Sequence, residues 1–391
     1  MTDLNKVHST PALKIFLLLL FWSLWYLSFS TRTVLSPLLP LIEDNFAISH
    51  AYAGSLLFFF SAGYTIAVLL AGLLPHRIGY KRSIISSFML LIASLCSLKY
   101  AETYYSFAAV LFFVGLGSGI YLPCAIPLIT SVFGRGNWGK AIAFHETAAS
   151  FSIFTIPLLS VFTLRFFHWR AFFLIMSGFI FMVVILFWGL SPDPRPVKEK
   201  GAQISSILCR KDLWVMAVFW AFAGISSSGI YNVIPLFLVK EKGMLFETAN
   251  SVFGISRLGG VFITILIGFV LDRYEVKKIL LIILLSTGLS TAGLAVAQMF
   301  WLLVVMLAIQ ATVSVVFFPV AMVAVSKMTT LSERSVFTSI ILAITVIVGS
   351  GITPVVLGAV ADAWNFRIGI FVTGVLTAAT GLLFRYLQEI S

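Results

Sequence analysis

Runs of about 20 apolar residues, each long enough to cross the hydrocarbon core of a bilayer as a helix, recur along this chain between short polar or basic loops. Twelve such segments are read, at 14–42, 49–74, 82–99, 104–133, 140–164, 170–190, 213–239, 246–271, 279–297, 300–327, 335–360 and 366–387. Several are longer than a perpendicular crossing needs, so they are expected to tilt or to end in water. Between the sixth and seventh lies 191–212, with three prolines in five residues and five basic groups, which reads as a semi-flexible linker. The expected plan is an N-terminal six-helix bundle over 1–190, a linker over 191–212 and a C-terminal six-helix bundle over 213–391.

One loop is used twice. Gly72 ends an apolar run, Arg77 follows five residues on, and Lys81 and Arg82 close the stretch. The same spacing returns 196 residues later as Gly268, Asp272, Arg273, Lys277 and Lys278. Pro319 echoes Pro123 at that spacing, and Pro354 and Arg367 echo Pro157 and Arg170 at 197, so the two halves are copies of one design.

The first copy resembles the signature loop between the second and third helices of the major facilitator superfamily, roughly Gly-x-Leu-x-Asp-Arg-x-Gly-Arg-Arg. Gly72, Leu74, Arg77, Gly79, Lys81 and Arg82 fit it; His76 stands at the Asp position, and Glu275 replaces the second Gly in the later copy. The resemblance implies an all-α membrane protein of twelve transmembrane helices in two pseudo-symmetric six-helix bundles, working by alternating access. It implies that helices 1, 4, 7 and 10 line a central cavity, that 2, 5, 8 and 11 flank it, and that 3, 6, 9 and 12 face lipid. Solute is then expected near the midplane, at the interface of the halves.

Composition agrees. The 391 residues are 60% apolar and 10% charged, against about 25% charged in a soluble domain. With cytoplasmic termini, eighteen of the 26 Lys and Arg lie on the cytoplasmic side and six outside. The net charge of +11 is therefore mostly a topology signal, and no nucleic-acid partner is expected. The 13 residues before the first helix carry no cleavage site, so that helix is expected to stay as an anchor. Cys96, Cys124 and Cys209 have neither metal-like spacing nor an external pairing.

Two arginines fall inside apolar segments. Arg32 is eleven residues from the acidic end of the first helix at Glu43, about 16 Å at 1.5 Å per residue. Arg257 in the eighth is ten residues from Glu247. An arginine at that depth costs at least ~2.5–3.5 kcal/mol unless it meets a partner or a wet cavity. A packing ion pair is one reading; a grip on an anionic solute by guanidinium forks is the other. Tyr121, Ser228, Tyr231, Asn232 and Gln310 are the polar residues expected to line the site with these arginines.

His145 and Glu146 near the start of the fifth helix form its most polar spot. A zinc-protease motif would need a second His where Ala149 stands. The pair is read either as carrying protons or, through Glu146 against Arg77 or Arg135, as a cytoplasmic latch. The glycines at 115, 117 and 119 follow no strand and read as helix packing, not as a nucleotide loop.

The reading is a monomeric secondary transporter of the bacterial inner membrane, with both termini cytoplasmic. It takes a small anionic solute, as in organic-anion, monocarboxylate or cyanate carriers, by proton-coupled symport. No cofactor and no metal are expected. A drug or metabolite exporter of the same superfamily is the alternative, although the Gly-Pro motif of drug–proton antiporters is reduced to Pro157. A receptor or enzyme would need a soluble domain or a catalytic cluster, and neither is present.

Overall fold

The computed structural model of the protein describes residues 11–71, 74–134, 137–193, 204–271 and 273–386. Among these residues no strand occurs. Eleven helices are apolar and long enough to cross a membrane: α1 Pro11–Phe46, α2 His50–Leu70, α3 Tyr80–Tyr100, α4 Tyr104–Val132, α5 Trp138–Leu164, α6 Trp169–Leu190, α7 Lys211–Glu241, α9 Val276–Val296, α10 Phe300–Met328, α11 Val336–Ala363 and α12 Phe366–Leu383. The twelfth, α8, is present in two pieces, Phe246–Ile255 and Leu258–Leu271. Neither piece alone reaches the length of a crossing. The break is a tight turn in which the Arg257 amide bonds to the Gly254 carbonyl at 3.0 Å and the Gly260 amide to the Arg257 carbonyl at 3.1 Å.

Proline places the other irregularities. Pro37 has no N–H for the carbonyl of Thr33, and α1 divides there into Pro11–Thr33 and Leu35–Phe46. Pro123 likewise deserts Gly119, and α4 divides into Tyr104–Gly119 and Tyr121–Val132. In α7 and α11 the ladder widens into π turns at Ile225–Gly229, Phe237–Glu241 and Val346–Ile352. Each such defect frees a carbonyl that lipid cannot satisfy, so side chains from neighbouring helices have to supply the hydrogen.

By packing, the chain forms two compact units, Met1–Val34 with Phe59–Glu199, and Leu35–Phe58 with Lys200–Ser391. The later part of α1, from Leu35, and the start of α2, to Phe58, thus belong to the second unit.

In the first unit α1 lies along α5, and α3 packs on α4 and α6. The α1–α5 seam is polar: Trp22 Nε1 donates to Thr147 at 2.9 Å, Tyr26 meets Thr155 at 2.9 Å, and Ser30 and Thr33 both meet Ser152. Helices α2 and α4 touch backbone to backbone. A Cβ at Gly63 would lie 1.9 Å from the Phe112 carbonyl oxygen, and one at Gly115 2.0 Å from that of Phe60. The glycine run of α4 is therefore a packing face.

In the second unit α9 packs on α10 and α12, α8 on α10, and α7 on α11. The α7–α11 contact is equally close, since a Cβ at Gly349 would lie 2.6 Å from the backbone of Gly224. Side chains meet two carbonyls freed by proline and one passed over in a π turn. Ser36 Oγ donates to the Tyr231 carbonyl deserted by Pro235, at 2.8 Å, and Asn232 Nδ2 to the Ser350 carbonyl deserted by Pro354, at 3.3 Å. Gln310 Nε2 donates at 2.6 Å to Ser226, whose carbonyl the Ile230 amide skips in the π turn.

Candidate functional site

Each unit holds one polar constellation inside its span. In the second, Arg257 sits at the break of α8 and is only 4% exposed. Its guanidinium carbon lies 5.1 Å from the ring centroid of Tyr231 on α7 and 4.8 Å from that of Phe253, one turn earlier on α8. The two rings are themselves 4.8 Å apart at 44°. Cation–π attraction of this kind is worth about 2 kcal/mol when desolvated, which offsets part of the burial of the charge.

The rings do not satisfy its hydrogens. Arg257 Nε and Nη2 are buried without a hydrogen-bond partner, and none of the ion pairs among the described residues includes Arg257. Nε and Nη2 lie on one edge of the planar guanidinium, the edge whose parallel N–H bonds match the two oxygens of a carboxylate. Asn250 Oδ1, Gln310 Oε1 and Ser350 Oγ of the same unit are also buried without partners.

In the first unit Arg32 is partly buried, with its guanidinium carbon 5.1 Å from the Phe29 ring. Tyr64 of α2 lies within electrostatic reach of both Arg32 and Glu146. His145 is fully buried, with Nε2 3.1 Å from the Tyr121 hydroxyl and Nδ1 3.2 Å from Glu146 Oε1. The Tyr121 hydroxyl donates to the Phe21 carbonyl at 2.6 Å. Trp25 stacks on both rings, 5.9 Å from His145 and 5.8 Å from Tyr121.

Of the residues read from the sequence, Tyr231 covers Arg257, while Asn232 and Gln310 are buried and serve freed carbonyls with their amide nitrogens. Ser228 is partly buried on α7. Tyr121 is wholly buried, with its hydroxyl donating to the Phe21 carbonyl and meeting His145 Nε2. Glu146 pairs with His145; Arg77 is exposed and takes no part in that pair, and Arg135 lies outside the described residues.

In the repeated loop, Gly79 takes φ 90°, which favours glycine, and Lys81 Nζ donates to the Ser191 carbonyl at 2.8 Å. Arg82 and Arg273 are exposed, and Gly268 falls within the second piece of α8. Gly72 and Asp272 lie outside the described residues. Among those residues no cluster of His, Cys, Asp or Glu suits a metal ion.

Two features went unread in the sequence. One is Phe253, whose signal was an aromatic ring one helical turn before a buried arginine. The other is a charged cluster of the second unit at the 43–50 end of α1 and α2. There Lys240 pairs with Asp44 and lies 3.6 Å from Glu43, and Glu43 meets His50 at 2.8 Å. Asp362 accepts the backbone amides of His50 and Ala51, each at 2.9 Å.

The family model described as Major Facilitator Superfamily matches residues 21–298 and 222–390. Protein TsgA of Salmonella schwarzengrund (strain CVM19633) is 23% identical over 265 residues, 66% of this chain and 64% of that protein. The match thus spans slightly less than two thirds of the relative's own length. Among solved structures, a mutant form of the nucleoside transporter NupG superposes with a TM-score of 0.83 at 14% identity, over 95% of this chain and 100% of that one. A D-xylose-proton symporter gives 0.82 at 16% identity, over 96% and 98%.

Proposed function

Starting from a chain that belongs to the Major Facilitator Superfamily and is a multi-pass membrane transporter, not an enzyme, we propose that its solute is a small organic anion carrying a carboxylate. The observation that carries this is the free Nε/Nη2 edge of Arg257, buried beside Tyr231 and Phe253. The parallel N–H bonds of that edge match a planar two-oxygen group. Arrival of the anion also neutralises a charge that is costly where it lies.

We assign the first grip to Arg257 and test Arg32 beside it. Coupling to protons through His145 and Glu146 is part of the same proposal; the D-xylose-proton symporter of like fold is one transporter whose name records such coupling. The Lys and Arg distribution supports cytoplasmic termini and a bacterial inner-membrane location, which would make the 43–50 end external.

The test is thermal unfolding of purified protein with acetate, lactate, benzoate, nitrate, phosphate and a neutral sugar. A ligand at 100 times its Kd stabilises by about 2.7 kcal/mol. Carboxylates are expected to raise the melting temperature in wild type and in neither Arg257→Lys nor Arg257→Met. Stabilisation by the neutral sugar alone, or carboxylate stabilisation that survives in both variants, overturns the proposal. The same assay on Arg32→Lys reports whether that cation shares the grip.

A further inference from the structure

The hydrogen bonds around Tyr121 leave its proton only one place. Its hydroxyl oxygen lies 2.6 Å from the Phe21 carbonyl oxygen and 3.1 Å from His145 Nε2. Two oxygens at 2.6 Å need a hydrogen between them, and a carbonyl has none to give. The phenol proton is thus committed to Phe21, and toward His145 the phenol can only accept. Nε2 must therefore carry a hydrogen.

Across the ring, Nδ1 faces Glu146 Oε1 at 3.2 Å. With Nε2 already protonated, a hydrogen bond forms there only when one more proton is present. The pair is then imidazolium against carboxylate, or neutral imidazole accepting from a carboxylic acid. Without that proton the Nδ1 lone pair meets a carboxylate, and the two repel.

We propose that Tyr121 is a positioning residue that locks His145 as the Nε2–H tautomer through the Phe21 carbonyl, and so makes His145 and Glu146 a carrier of a single proton. This deepens the proton-coupling reading above and rests on it for its purpose. A histidine free to choose would place its hydrogen on Nδ1 and bond the carboxylate with no added proton; the lock removes that alternative. Loading takes one proton from water and brings the pair from a charge of −1 to 0, and unloading returns it to water.

Burial suits the assignment. His145 and Tyr121 are both 0% exposed, whereas the Glu146 side chain is 45% exposed, so protons enter and leave at the carboxylate. Trp25 lies nearly parallel to the His145 ring, at 11°, and Phe88 meets Tyr121 edge-on, so the ring planes are held from both sides. The titratable groups that face the pair are Tyr64 of α2, which also feels Arg32 of α1, and Tyr121 of α4; α6 carries none after Arg170.

The experiment is nitrogen NMR of the full chain with 15N-labelled histidine, the His145 signals being assigned by their loss in His145→Gln. In wild type Nε2 is expected to hold its hydrogen in both the loaded and the unloaded pair. In Tyr121→Phe, unloaded His145 is expected to move to the Nδ1–H form, with the tautomer ratio changed about tenfold, the worth of one hydrogen bond. A wild-type His145 that rests as Nδ1–H overturns the proposal, as does a Tyr121→Phe spectrum with the wild-type tautomer. The wild-type spectrum decides on its own should the variant fail to fold. No solute enters the measurement, so it stands apart from the anion assay. Should Glu146→Gln keep pH-driven uptake while the lock is observed, the coupling reading falls and the tautomer lock remains.

Discussion

The hydroxyl of Ser36 donates to the carbonyl of Tyr231 at 2.8 Å, the carbonyl that Pro235 leaves without its helical partner. Removing that hydroxyl takes a hydrogen bond away from a buried acceptor. Ser36→Ala is expected to cost about 1–3 kcal/mol. Adding Pro235→Ala restores a backbone N–H, so the double variant is expected to recover part of the loss in detergent unfolding. A double variant less stable than the sum of the singles would show that the two residues do not share this carbonyl.

Arg257 opposes stability to function. Its charge is buried and its Nε and Nη2 unpaired, so Arg257→Met is expected to unfold at or above the wild-type temperature while losing anion-induced stabilisation. A drop of several kcal/mol in the ligand-free variant, read from denaturant or thermal unfolding, would mean that Arg257 serves a protein partner instead.

At the 43–50 end, two charged residues are expected to differ in weight. Asp362 caps two backbone amides at the start of α2, and Asp362→Ala should cost ~1 kcal/mol, as caps do. Lys240 pairs with Asp44, which is largely exposed, and such pairs are worth about 0–1 kcal/mol. Lys240→Ala should therefore be the milder change, and its effect should shrink in high salt. Melting both variants at low and high salt checks the order.

Glu333 provides a pH signature outside the membrane-spanning segments. The backbone amide and hydroxyl of Thr330 hold its carboxyl below the usual range, with a further contribution from Arg210 at 3.1 Å. A depressed folded value means that the stabilisation is present above the unfolded carboxylate range and is lost as pH falls through the folded value. Glu333→Gln is expected to melt below wild type at pH 7, with a gap that narrows at acid pH. An equal gap at both pH values would remove the carboxylate from the account.

Much of the architecture could be read before any coordinates. Runs of apolar residues announced the crossings, because in lipid only a helix of about 20 residues satisfies its own backbone. Arg257 could be singled out as well, since a cation in such a run is costly wherever the chain folds. Its neighbours Phe253 and Tyr231 belong to different helices, and their meeting beside the guanidinium depends on where α8 breaks. That break has no proline to announce it.

Sequence alone determined the helical class, the repeated loop and the identity of the two intramembrane arginines, because each follows from local composition and spacing, and the resemblance of that loop pointed to the family. Tertiary structure alone decided which carbonyls freed by proline receive which side chains, that the Arg257 edge is left free, and that the Tyr121 hydroxyl meets His145. Those outcomes depend on the packing of helices far apart in the chain. Hydrogen bonds form over about 3 Å, and a rotation of one helix by a fraction of a turn reassigns every one of them.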